Sequence, residues 1–310
     1  MTPLRISATL PAFAVAFLLL PVTLSSAATY EQDFTAADGT TDLDDGSTIG
    51  SNDGVNQVIG NALRLTSAAN TGTRASYRIP ALADSSQGWT ATFDYVMTDT
   101  PGGNPPADGF SLSYGDIPAL TTNGAANTGH GAAEAGMGGI VIAFQIDTWQ
   151  NNNANSPGVG ILENGNPLPG GRIDGTVVPT DGTVSGTATI TWSPNTATFR
   201  TSGLANDANF TDLPHGFVGN DSYSWALSAR TGGATQDLII DNLRIVTGAV
   251  EDSDGDGLPN TYEVVNNLDP NDDGTIGESS PGAKWSRTRL LLPSGRRFDS
   301  TPVRSKKYKF

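Results

Sequence analysis

Six oxygen-bearing positions recur along Asp252-Ser253-Asp254-Gly255-Asp256-Gly257-Leu258-Pro259-Asn260-Thr261-Tyr262-Glu263 at the spacing a calcium ion requires. Calcium takes six to eight oxygens in a flexible shell. Carboxylates at Asp252, Asp254 and Asp256 would converge on one side of a tight coil, Gly257 would supply the turn, and the Leu258 carbonyl would point inward. Asn260 would ligate directly or through water and Glu263 with both oxygens, carried on a short helix that Pro259 can open because its missing N–H is no loss there. A metal-free acidic linker would account for three aspartates, but not for agreement at six spaced positions. Nucleophilic or zinc chemistry has far less to work with. The chain has no cysteine and two histidines, His130 and His215, both among glycines or prolines and read as exposed turn residues.

The calcium loop follows a long segment of different character. Between Thr29 and Val246, short runs of Thr, Val, Ile, Phe, Tyr and Trp alternate with Gly, Asn, Asp and Pro clusters, the pattern of strands joined by turns. In residues 88–97, Trp89, Ala91, Phe93, Tyr95 and Met97 alternate with Thr90, Thr92, Asp94 and Val96, so one face of a sheet takes every second side chain. The same reading applies to 61–66, 74–79, 109–114, 139–148, 158–162, 187–193, 196–201, 223–230 and 237–246. About ten antiparallel strands predict an all-β, two-sheet sandwich or jelly roll. Three long polar stretches, 98–108, 119–137 and 150–157, flank the same two strands and are candidates for function.

Charge and end composition set the context. Nine of the 17 basic residues fall in 284–310, whereas residues 29–283 hold seven arginines, no lysine and 31 acidic residues, a net charge of −24. Such a body repels nucleic acid and anionic lipid. Arg5, the apolar run from Ala12 to Leu20 and the small residues Ser25 to Ala28 compose a secretory signal peptide, the run being too short to span a bilayer. The expected organisation is a signal peptide over 1–28, a sandwich over 29–247, a calcium segment over 252–275 and a basic, disordered tail over 284–310. A secreted or cell-surface location follows, with no transmembrane segment in the mature chain.

Together with Leu268-Asp269-Pro270-Asn271-Asp272-Asp273, the EF-hand-like calcium loop resembles the thrombospondin type-3 repeat. Two segments of the body, Ala107-Asp108-Gly109-Phe110 and Ile142 to Asn151, resemble the legume-type (L-type) lectins and their bacterial relatives of concanavalin-like fold. Gly158-Val159-Gly160-Ile161 resembles a further strand of that family, and Ala229 to Gly233 and Ile240 to Leu243 resemble the closing strands of secreted bacterial members. The resemblance implies a concanavalin-like jelly roll that recognises a polysaccharide or glycan without catalysis. It implies that Asp108 holds sugar hydroxyls, Gly139 gives a nearby backbone N–H, Trp149 offers a stacking face and Asn151 a second polar contact, with Asp147 and Asn151 the remnant of a second metal site. Gln145 and Gly158 stand where the family has a metal-ligating glutamate and a histidine, so the transition metal is expected to be absent. Read locally, Asp108 is equally a turn residue capping Gly109, and Trp149 equally a core side chain. Laminarinase-type hydrolases share the sandwich, but Gln145 and Trp149 or Gln150 fall at their glutamate positions around Asp147, and Glu134 and Glu163 are isolated in sequence. The alternative to a lectin is a structural or adhesive surface protein.

Overall fold

A computed structural model describes residues 27–99, 106–118, 133–150, 157–179 and 182–248. The chain divides after Asp273 into two units, and all described residues belong to the first. The calcium loop, the tail and residues 1–26 of the leader lie outside the described residues. No helix among the described residues is long and apolar enough to cross a membrane.

The strands in chain order are β1 (Thr29–Gln32), β2 (Thr48–Ser51), β3 (Gln57–Ile59), β4 (Ala62–Thr66), β5 (Arg74–Ile79), β6 (Trp89–Asp99), β7 (Gly109–Gly115), β8 (Val141–Asp147), β9 (Gly158–Glu163), β10 (Asn166–Asp174), β11 (Thr183–Trp192), β12 (Thr196–Thr201), β13 (Asn209–Pro214), β14 (Ser224–Arg230) and β15 (Gln236–Thr247). One antiparallel sheet runs β13-β12-β11-β6-β15-β4-β3, with β1 also paired to β15; the other runs β10-β9-β8-β7-β14-β5-β2. The protein is an all-β, two-sheet jelly-roll sandwich, as the alternation predicts.

Among the described residues, fifteen strands replace the ten expected. The five that composition did not reveal, β1, β2, β3, β10 and β13, either end a sheet or, for β1, lie off its main path. Edge strands need only one hydrogen-bonded side and bury little, so they tolerate the prolines and glycines of Asn166–Asp174 and carry a weak apolar pattern.

The inner faces meet over an aromatic core. On β6, Trp89, Ala91, Phe93, Tyr95 and Met97 are buried, while Thr92, Asp94 and Val96 on the other face are half-buried. Trp89 stacks on Trp192 at 6.4 Å and meets Tyr114, Phe144 and Trp225 edge-on, which ties the two sheets together at one centre.

The second sheet is buried on both faces at its middle. Its outward positions on β7, β8 and β14 carry the small or polar residues Ser111, Ser113, Ala143, Gln145, Ala226 and Ser228. A short 3₁₀ turn, Ala133–Ala135, packs across these strands. Just after it, Met137 closes a small second cluster with Ile117, Val141 and Ala226, and the Met137 amide donates to Ser113 Oγ at 3.0 Å. The segment rests on this face because the side chains beneath it are small. A Cβ at Gly136 would lie 2.8 Å from Ala143 Cβ.

Candidate functional site

Strand register alone assembles a charged row at one end of the second sheet. Asp174 pairs with Gly158, Gly158 with Asp147, Asp147 with Gly109, Gly109 with Arg230 and Arg230 with Arg74, so one rung crosses six strands. The adjacent rung reads Arg172, Gly160, Gln145, Ser111, Ser228 and Ser76. Glycines fall between the charged residues, and long side chains can therefore lean across neighbouring strands.

Asp108 extends this arrangement by one residue. Its amide donates to the Arg230 carbonyl at 3.0 Å, and its carbonyl accepts the Thr148 amide at 3.1 Å, so it is held between β14 and the end of β8. The Ala107–Asp108 peptide is cis. Arg230 Nε lies 2.9 Å from Asp108 Oδ2 and 2.8 Å from Glu134 Oε2, bridging two carboxylates that come from distant parts of the chain. Space for the Asp108 carboxylate depends on Gly232, where a Cβ would stand 3.2 Å from both carboxylate oxygens.

Asp147 completes a cluster of three acids. Its Oδ1 accepts the Trp149 amide at 3.2 Å, and its Oδ2 lies 3.7 Å from Arg172 Nη2. Arg172 also donates from Nη1 to Gln145 Oε1 at 2.7 Å and from Nε to Asp174 Oδ1 at 2.5 Å. Asp108, Glu134 and Asp147 are 2%, 1% and 2% exposed, so three acids share two arginines out of water. Burial pushes the Glu134 carboxyl up to about 7, against the pull of Arg230. Burial, followed by the negative charge of Glu134, pushes Asp147 up to about 7. Asp108 is also raised by burial, with Arg230 and the Gly232 amide opposing.

Two polar atoms here are left over. Asp108 Oδ1 and Thr148 Oγ1 are buried without a well-formed hydrogen bond, the Gly232 amide that acts on the Asp108 carboxylate being committed to the Ala234 carbonyl; the two residues are joined by a backbone hydrogen bond. A buried polar oxygen without a partner costs about 1–3 kcal/mol, more when charged, so both oxygens favour a bound water or a ligand hydroxyl.

The positions expected from sequence fare unequally. Asp108, Asp147 and Trp149 come together at one end of the β7–β8 pair. Trp149 is half-buried and outside the core cluster, which removes the core alternative for its ring. Gly139 is a correction: it precedes β8, and the antiparallel register sets that end of β8 beside Gly115, a full strand length from Asp108. An added Cβ on Gly139 would meet Asp116 rather than anything near the acids. Asn151 lies outside the described residues, as do Asp252, Asp254, Asp256, Leu258, Asn260 and Glu263. Glu134, isolated in sequence, is instead central, because the 3₁₀ turn delivers it to Arg230 from 96 residues away. No local pattern announced it. Glu163 instead accepts the Gly216 amide at 3.0 Å. His215 is not an exposed turn residue: it is half-buried, with its ring stacked on Trp192 at 5.8 Å.

A cavity of about 230 Å³ opens on the outer face of the other sheet among Thr92, Asp94, Thr187, Thr189, Asn242 and Arg244. Its polar groups serve one another: Thr187 Oγ1 and Asn242 Nδ2 donate to Asp94 at 2.6 and 2.9 Å, and Arg244 Nε donates to Glu31 at 2.7 Å. The orphaned acceptors make the acidic cluster the stronger candidate.

No family model and no curated protein matches the chain. Solved structures do match. Peanut lectin with a 9mer peptide aligns over 72% of this chain and 97% of its own at 13% identity, with a TM-score of 0.52. The lectin from Bauhinia forficata in complex with GalNAc aligns over 72% of this chain and all of its own (100%) at 18% identity, with a TM-score of 0.50. At such identities the likeness is one of fold. The body of this chain is a lectin-like β-sandwich, spanning the whole architecture of those domains.

Proposed function

We propose that the sandwich is a non-catalytic carbohydrate-recognition domain in a secreted or cell-surface calcium-binding protein. The observation that carries this reading is the pair of orphaned acceptors, Asp108 Oδ1 and Thr148 Oγ1, at the end of the sheet where Trp149 also sits. A sugar supplies vicinal hydroxyl donors for the oxygens and a C–H face for the indole. Asp108 is fixed by Arg230 on one oxygen, which leaves the other for the ligand. Because the carboxylate is almost fully covered, binding includes a local opening at Asp108. Support from the solved structures is limited to fold, although one of the matching lectins holds GalNAc.

Binding is favoured over hydrolysis because the acids are ion-paired to arginine and almost fully covered rather than open on either side of a substrate bond. Asp108 and Glu134 both engage one arginine nitrogen, whereas a glycosidase sets a nucleophile and an acid on either side of a bond. Calcium in this reading belongs to Asp252, Asp254, Asp256, Leu258, Asn260 and Glu263, and export to residues 1–28.

A glycan array probed with the wild type and Asp108→Asn tests the assignment. Signal for defined glycans that falls at least about 30-fold in the variant, roughly 2 kcal/mol, is expected. An array with no signal, with or without calcium, would sink carbohydrate recognition. Release of reducing sugar from β-glucans would overturn the non-catalytic reading.

A further inference from the structure

The lectin-like fold and the segment from Ile142 to Asn151 imply a divalent metal beside Asp147, but the described residues there do not suit one. Gln145 contributes a neutral amide, and its oxygen already accepts a hydrogen bond from Arg172. Asp147 has one oxygen on the Trp149 amide and the other facing the Arg172 guanidinium. A cation at coordinating distance from that second oxygen would sit beside a permanent positive charge. Among the described residues, no three His, Cys, Asp or Glu side chains converge as a ligand set.

How Arg172 arrives there is built into the backbone. It stands on the edge strand β10, after a register shift between Pro167 and Arg172 that sets it opposite Gly160. To reach β8 it must cross β9, and the strand offers glycine at both positions beneath the path. An added Cβ at Gly160 would touch Arg172 Cβ and Cγ at 3.6 Å, and one at Gly158 would stand 3.2 Å from Nη2. The guanidinium then spreads over three acceptors on two strands, Gln145, Asp147 and Asp174. Its side chain is only 15% exposed. A planar, always-charged fork is well suited to this task, since it offers directed donors that one lysine ammonium could not.

We infer that Arg172 is the site's own cation: it neutralises and orients the Gln145–Asp147 end of β8, so the sandwich requires no divalent metal of its own. Arg172 is thus a positioning residue. As a statement about saccharide binding the inference rests on the carbohydrate reading above; as a statement about metal content it does not.

The full chain carrying Asp252→Asn, Asp254→Asn and Asp256→Asn, which disarms the terminal loop, is dialysed against calcium and manganese and analysed for bound metal. Less than about a tenth of an ion per chain is expected, with a melting temperature shifted by no more than about 1 °C by chelator. One ion retained per chain, or a melting temperature that falls on chelation and returns with manganese or calcium, overturns the inference. Arg172→Gln should lower the melting temperature by about 4 °C or more, with Arg172→Lys recovering part of the loss; no change in Arg172→Gln overturns the role of the guanidinium. Where a glycan ligand is found, its affinity in chelator should stay within about twofold of that in calcium, and a loss beyond about tenfold overturns the inference. A chain that binds no glycan yet holds no metal refutes the carbohydrate reading and leaves the arginine strap standing.

Discussion

Replacing Glu134 by glutamine should stabilise the sandwich selectively at high pH. In the wild type the carboxyl moves from an ordinary value of 4.5 to about 7 on folding, chiefly through burial. A raised folded value means that the native state holds the proton more tightly than the unfolded chain. Its contribution to stability is therefore greatest below about 4.5, declines as pH rises, and levels off above about 7. Between pH 5 and pH 8 the loss from this one group is about 2–3 kcal/mol. Glu134 is 1% exposed, so solvent screening offers no discount. Glutamine keeps an acceptor for Arg230 but cannot ionise, and it removes the negative charge that helps raise Asp147. Denaturant unfolding of both proteins at pH 5, 6, 7 and 8 reads the effect as a difference in which all other titrations largely cancel. The variant should gain about 2–3 kcal/mol relative to wild type between pH 5 and pH 8, roughly 5–10 °C in melting temperature for a sandwich of this size. Any fixed penalty from an imperfect amide–guanidinium contact shifts the whole curve without changing that slope. A difference that stays constant with pH, or moves against the variant as pH rises, would refute the account of three acids sharing two arginines.

Gly158→Val should destabilise the sandwich by about 1–3 kcal/mol, since a Cβ there would meet the Ile173 carbonyl oxygen at 2.5 Å and crowd the Arg172 path; chemical unfolding checks it. Trp89→Ala, at the centre of four aromatic contacts, should cost about 3–5 kcal/mol and collapse the near-ultraviolet circular dichroism. Calcium titrated into the full chain should bind the terminal loop with a dissociation constant of about 10⁻⁴ to 10⁻³ M, and Asp256→Asn should weaken it further; calorimetry showing no uptake would remove the loop as a ligand set.

Alternation is a local property, and so the central strands were legible in the sequence. Trp89 to Met97 declares its buried face without reference to any partner, and Arg74–Ile79 and Thr196–Thr201 have the boundaries that composition predicts. Edge strands such as β10 were not, because a strand with one unpaired side and little burial leaves a weak pattern. The same division runs through the site. Asp108 and Trp149 could be singled out from short motifs that are nearly contiguous in the chain. Gly139 could not be placed correctly without the register of β7 against β8. Glu134 meets Arg230 across 96 residues, and Arg172 reaches Gln145 across 27 by leaning over the two glycines, Gly158 and Gly160, on one face of another strand. By itself the sequence determined the sandwich class, the acidity of the body and the candidate aspartates, all of which depend on residue type and near-neighbour spacing. Which carboxylates share which guanidinium was decided by tertiary structure, because strand pairing brings together side chains that no local spacing relates.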